Sequence, residues 1–298
     1  MRNRSERQFN AFGYVVITIL AINALIPLIL LVMSSITDNE ALILYGYNFI
    51  PPKFSFEAYK YIFETSDAVV KAYGVSILLT TIGVTCSLTI TTMLGYAIAR
   101  RGLPGRGFIT FLVFFTMLFN GGLVPSYINY TTNFHVKDTF FALLIPGLLM
   151  GAMNVLLVKS YFVTGVPDEI LEAAYIDGAT EMQTFAKVAL PLAKPIVATI
   201  GLFSGLAYWN DWNNGYVYLN KRVDLYSIQN LLNRMIQNIQ YLTQNAGNIV
   251  NAEQGLASIP SISVRMAIAI VGLLPILIAY PFVQKQFVRG ITLGGVKG

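Results

Sequence analysis

Apolar stretches long enough to cross a bilayer recur about six times along this chain, separated by short polar or charged segments. Roughly 20 consecutive apolar residues of helix are needed to span the hydrocarbon. The stretches at 12–34, 72–99, 108–128, 139–162, 195–216 and 264–283 satisfy that length and predict six transmembrane helices. One segment between the fourth and fifth stretches breaks the pattern. From Asp168 to Lys194 the chain is amphipathic and charged, and it reads as two short helices around Gly178. Pro167 and Asp168 suit the start of the first helix and Gly178 its end, because proline fits an opening turn and glycine a left-handed stop. Thr180 and Gln183 have the spacing of a capping box for the second helix. Met182, Phe185 and Val188 fall on one face of that helix, and Pro191 is expected to end it.

Composition agrees with lipid as the solvent. The 298 residues are 55% hydrophobic and 12% charged, so the chain is read as an all-α membrane protein. A net charge of +5 could suggest nucleic acid. The basic residues instead cluster at the ends of apolar stretches, where they set topology. Arg2, Arg4 and Arg7 precede the first stretch, Arg100, Arg101 and Arg106 follow the second, and Lys285, Arg289 and Lys297 follow the last. Both termini are therefore expected in the cytoplasm, as is the 164–194 segment. Asp38, Glu40, Glu57, Glu64 and Asp67 outnumber Lys53 and Lys60 after the first stretch, which fits the outer face. The first stretch is too long for a typical secretion signal and has no clear Ala-x-Ala site, so a retained signal anchor is expected.

The second stretch carries Thr80, Thr81, Gly83, Thr85, Ser87, Thr89, Thr91, Thr92 and Gly95. Such small and hydroxylated residues let helices approach closely and hydrogen-bond across an interface. Pro27, Pro146 with Gly147, and Pro275 interrupt other stretches, as transporters and inert bundles both allow.

Residues for covalent chemistry are not apparent. Gly102 to Gly107 lacks the Lys-Ser/Thr of a phosphate loop and reads as a turn. Cys86 has no internal disulfide partner, and His135 has no neighbours at metal-ligand spacing, so no metal site is expected. Asp211 is the one carboxylate near membrane depth, too little for an ion-driven proton relay. Asn129-Tyr130-Thr131 matches a glycosylation sequon, a pattern short enough to arise by accident. Tyr208, Trp209, Asn210, Asp211, Trp212 and Asn213 close the fifth stretch with aromatic faces, amides and a carboxylate, chemistry that suits a sugar. An aromatic belt at the membrane interface accounts equally well for the tryptophans. The polar 217–263 segment is expected to be a long outer loop, either solvated or reaching a partner.

Glu172-Ala173-Ala174, then Asp177-Gly178-Ala179, then Leu190-Pro191 resembles the EAA signature of permease subunits in binding-protein-dependent ABC importers. Phe119-Asn120-Gly121-Gly122-Leu123-Val124-Pro125 resembles a hallmark of the Gram-positive branch that imports complex oligosaccharides, related to the smaller maltose permease subunit. The tail from Arg289 to Gly298 resembles that family's common ending, so the likeness covers essentially the whole chain.

This resemblance implies a type I ABC importer permease in a bacterial plasma membrane. Its expected partners are a second homologous permease, an ATPase dimer and an extracellular solute-binding lipoprotein. This chain would be no enzyme and would bind no cofactor, with ATP and Mg held by the partner ATPase. Glu172, Ala173, Ala174, Asp177, Gly178, Ala179, Phe185, Leu190 and Pro191 would couple ATPase closure to alternating access. The substrate path would run near the aromatic segment and Asn120. An amphipathic helix lying on the membrane is the rival reading of the coupling segment. A peptide importer, a membrane scaffold and a membrane enzyme are the other functional readings. Catalytic clusters at one membrane depth would favour the enzyme.

Overall fold

The computed structural model describes residues 4–64, 66–244 and 261–295, almost all of it helix and turn. Two compact units are formed, one from 1–69 with 232–275 and the other from 70–231 with 276–298.

The first unit begins with α1, Arg4–Ser35, a helix that contains Pro27 and exposes apolar side chains on every side. A helix apolar all round has no polar face for water and belongs in lipid. Its last turn becomes buried at Ser34 and Ser35, and the Ser35 hydroxyl lies 2.8 Å from that of Tyr59. Beyond it, Thr37 and Phe54 form an antiparallel bridge, and Asp38 caps α2, Asn39–Tyr45, through the Ala41 N–H. Lys53 pairs with Asp38 at 3.2 Å. The Asp38 carboxyl is held below its ordinary value although partial burial pushes the other way, because Lys53 and backbone N–H groups favour the anion. α3, Glu57–Glu64, buries Ala58 and Ile62. Asn39 accepts from the Ile262 N–H at 3.0 Å near the start of α15, Ser261–Gly295, which runs on into the second unit.

α4, Ser66–Ala99, carries the second unit. Its glycines mark close approaches. A Cβ added at Gly83 would lie 2.5 Å from the Tyr208 ring, and one at Gly95 would lie 2.6 Å from Val158. Most threonines do not bond across the interface as expected. Thr81, Thr85, Thr89 and Thr92 each donate to the carbonyl four residues back in their own helix, the local alternative open to any helical hydroxyl. Ser87 does cross, lying 3.2 Å from the Ser204 hydroxyl.

Three of the expected spans are divided, the one at Pro146 and Gly147 as anticipated and the other two not. The 108–128 stretch divides into α5, Arg106–Leu118, and α6, Leu123–Ile128, whose last turn widens over Asn129–Asn133. The two parts are bent by 119°. Asn120 accepts from the Gly122 N–H and Gly122 has φ +84°, so Asn-Gly-Gly builds a tight turn. The 139–162 stretch divides into α7, Phe141–Leu144, and α8, Ala152–Gly165, around Pro146 and Gly147. Pro146 has no N–H to continue the ladder, and Gly147 has φ +71°. The 195–216 stretch divides into α12, Lys194–Asn210, and α13, Asn213–Tyr218.

Between α8 and α12 the chain forms α9, Asp168–Ile176, α10, Glu181–Thr184, and α11, Leu190–Leu192. α14, Ile228–Gln244, occupies much of the 217–263 segment, where a loop was expected. Its amphipathic spacing of leucines and isoleucines outweighs the Asn and Gln that suggested coil. Residues 245–260 of that segment and 296–298 of the tail lie outside the described residues. Among the described residues, two helices are long and apolar enough to cross a membrane, or four if each bent pair is one span.

Candidate functional site

The local sequence sets the shape of the 166–193 segment. Pro167 sits in extended backbone at φ −62° and ψ 133°, and Asp168 and Glu169 place negative charge on the positive end of α9. At the other end Gly178 turns left-handed at φ +81°. The Ala179 N–H then reaches back to the Ala174 carbonyl at 3.0 Å, and the Gly178 N–H reaches Tyr175. This is the wrap-around closure of a helix end that glycine permits. The next helix starts at once, through the capping box: Thr180 N–H donates to Gln183 Oε1 at 2.9 Å and Gln183 N–H to Thr180 Oγ1 at 3.3 Å.

Pro191 does not end this second helical stretch. It lies in the opening turn of α11, the turn before it widens over Phe185–Ala189, and the Leu190 N–H bonds to the Phe185 carbonyl. A widened turn is a usual accommodation of proline within a helical path. The bend of 83° comes after Leu192, before α12 begins.

One side of this segment is packed against its own unit. Leu171, Phe185, Ala189 and Ala193 join Tyr96, Val158, Phe162, Val166 and Ile200 in one buried cluster. The Tyr96 ring centre is 5.3 Å from that of Phe162, edge to face, and 5.1 Å from that of Phe185. Phe185, expected to contact the ATPase, is only 8% exposed and therefore anchors the segment from within. The opposite side is open. Glu172, Ala173, Asp177, Gly178 and Pro191 are exposed, Ala174, Ala179 and Leu190 half-buried, and Ile176 and Met182 are 87% and 58% exposed. Of the residues expected to couple, all but Phe185 thus keep at least partial exposure, and Ile176 at the end of α9 is exposed beside them.

A second feature of this region was not anticipated. Arg100, just past the end of α4, was read as a topology charge. Its guanidinium lies 3.6 Å from Glu181 and 4.0 Å from Asp168, donates to the Tyr175 hydroxyl at 3.3 Å, and stands over the rings of Tyr96 and Tyr175. Tyr175 donates in turn to Glu181. The one signal in the sequence is the four-residue spacing of Tyr96 and Arg100, which puts ring and cation on one helix face. A small open cleft beside this group is lined by residues that include Tyr96, Arg100, Arg101, Phe162, Asp168 and Leu171.

The aromatic segment is arranged differently. Tyr208 is buried against Gly83 and donates to the Leu144 carbonyl at 2.9 Å. Trp209 is 9% exposed, with its ring 6.3 Å from that of Tyr73. Asp211 accepts from the Asn214 N–H at 3.3 Å, and Asn214 donates to the Pro146 carbonyl at 2.9 Å. Trp212, 42% exposed, packs edge to face on Tyr216, while Asn210 and Asn213 are exposed. Asn120 is exposed too, with its carbonyl oxygen engaged in its own turn. Tyr208 and Trp209 are thus packing residues. Among the described residues no cluster of His, Cys, Asp and Glu could hold a metal.

Comparison with known proteins places these features. The chain is 34% identical over 294 residues to the polygalacturonan/rhamnogalacturonan transport system permease protein YtcP of Bacillus subtilis, covering 98% of this chain and 99% of that protein. It is 27% identical to the arabinooligosaccharides transport system permease protein AraQ of Halalkalibacterium halodurans, covering 94% of this chain and 93% of that one. A chain in the crystal structure of a bacterial ABC transporter involved in import of the acidic polysaccharide alginate superposes with a TM-score of 0.79 at 31% identity. The superposition covers 96% of this chain and 99% of that one. Residues 2–293 match the model of one family, and the chain belongs to it: the binding-protein-dependent transport system inner membrane components.

Proposed function

We propose that this chain is the permease subunit of an ATP-driven importer of carbohydrate, specifically of an oligosaccharide cut from an acidic or branched polysaccharide. The observation that carries the coupling half of this reading is the two-sided build of the 168–193 segment. Its inner side is bolted to α4, α8 and α12 through a buried cluster, while its exposed residues include apolar Ala173, Ile176 and Met182 and the carboxylates of Glu172 and Asp177. Such a surface suits docking into an apolar cleft rimmed with basic residues. An ATPase dimer closing on ATP and Mg would pull on it and rock the permease, while this chain carries out no covalent step. The carbohydrate half is supported by the relatives, which are named for transport of polygalacturonan/rhamnogalacturonan and of arabinooligosaccharides, and by the alginate importer.

Six membrane crossings, cytoplasmic termini and a cytoplasmic 164–194 segment complete the proposal, along with a second homologous permease and an extracellular binding lipoprotein. Basic residues flanking α1 and α4 support this orientation. Isolation of the intact membrane complex through a tag on this chain tests the reading. Recovery of an ATPase with a phosphate loop and a sugar-binding lipoprotein is expected, with uptake of oligogalacturonides by cells that carry the complex. A peptide-binding protein in their place, or no ATPase, would overturn it.

A further inference from the structure

We propose that Arg100 is the positioning residue that locks the end of α4 to both helices of the coupling segment, so that they move as one body. The inference rests on the importer reading. Geometry carries it, because this one guanidinium bridges elements that lie on opposite sides of the Gly178 turn. Asp168 opens α9 and Tyr175 closes it, whereas Glu181 opens α10; all three contact Arg100. The Tyr175 hydroxyl closes the ring of contacts by donating to Glu181.

Gly178 gives the turn little stiffness of its own, since a left-handed glycine has open space around it and no side chain to pack. Force applied at Ile176 reaches the membrane helices through Leu171 in the buried cluster, but it passes to α10 only across this turn. A bridge across the turn to α4 removes that compliance. Arginine suits the task because its planar fork bonds in several directions while its face stacks on aromatic rings. Here the rings are Tyr96 and Tyr175, and Tyr96 also packs on Phe185 and Phe162 in the buried cluster. The Arg100 side chain keeps 26% of its exposure while Asp168 and Glu181 keep 60% and 59%, so the guanidinium is partly shielded and its acidic partners face solvent.

The test uses the whole importer complex, with spin labels at Gly102→Cys and Glu169→Cys in a Cys86→Ser background. Distances between labels are read without nucleotide and after trapping with ATP and vanadate. With Arg100 present, one narrow distribution should be found in both states. Arg100→Ala should give a distribution that broadens and shifts on trapping, with the ATPase still bound, and the ATPase rate should fall by roughly three- to tenfold. Arg100→Lys should keep the charge, lose the fork and stacking, and fall between. A purely structural role would lower the amount of complex without making the distance depend on nucleotide. An unchanged narrow distribution in Arg100→Ala, or full equivalence of Lys and Ala, overturns the inference. If the unaltered chain brings down no ATPase, the importer reading itself fails, which is a separate result.

Discussion

The 168–193 and 208–218 regions are built alike, as short helices joined at a break, yet they direct their side chains differently. In the first, the buried residues are an anchor, and an apolar, acid-edged surface is left facing out. In the second, part of the chemistry that looks suited to a ligand is consumed within the fold, while Asn210, Trp212 and Asn213 stay exposed. Tyr208 fills the space over Gly83, Asn214 serves the Pro146 carbonyl freed by the α7–α8 break, and Asp211 receives the Asn214 N–H. A polar or aromatic cluster near membrane depth therefore has two possible employers, the ligand and the broken backbone. The distinction matters most where proline and glycine interrupt helices, because their unpaired carbonyls need donors.

The sharpest way to break this comparison is Tyr208→Ala. If Tyr208 is a packing residue, the change should destabilise the fold by on the order of 3 kcal/mol, as loss of a buried aromatic does. Thermal unfolding of the detergent-purified complex reads this directly. Tyr208→Phe, which loses only the bond to Leu144, should cost about 0.6 kcal/mol. A stable Tyr208→Ala protein with altered sugar preference would return Tyr208 to the substrate path.

Gly178→Val comes next. The space around this glycine is open, so any cost lies in the backbone, about 1–2 kcal/mol for a residue with a Cβ held left-handed and more for a branched one. Expression and insertion should survive while binding-protein-stimulated ATP hydrolysis drops; Gly178→Asn should keep more of it, since asparagine tolerates this conformation. Normal stimulation in the valine variant would remove the turn from the coupling path. Glu172→Lys sharpens the same point without strain, because Glu172 is exposed: stability should be unchanged and ATPase association weakened.

The smallest effect is expected at Trp212. Trp212→Ala should weaken uptake of oligosaccharides by a contact worth about 1 kcal/mol without lowering membrane levels, whereas Trp209→Ala should lower the levels. Equal behaviour of the two would mean that burial does not separate their roles.

Much of this division was legible in the sequence. Pro167, Gly178 and the Thr180–Gln183 pair mark helix ends through backbone rules that act over a few residues, and the structure places them accordingly. Long-range facts were less accessible. Burial of Phe185 depends on Tyr96, some ninety positions earlier, and no local pattern separates a face that meets the parent unit from one that meets a partner. The break at Pro146–Gly147 was legible from its residues, whereas apolar flanks on both sides of Asn120–Gly122 made that stretch read as one span. The threonines of α4 misled for a related reason. A hydroxyl on a helix always has its own carbonyl within reach, so only the neighbour's geometry decides whether it crosses, as it does for Ser87.

The central claim is that the open side of the 168–182 stretch meets the ATPase while its inner side does not. Cysteine-specific cross-linking in the purified complex, with Cys86→Ser as background, tests it most directly. Ile176→Cys should cross-link to the ATPase efficiently, and Leu123→Cys, comparably apolar and exposed, should not. Absence of a cross-link from Ile176→Cys in a complex that still contains the ATPase, or equal cross-linking from Leu123→Cys, would contradict the account.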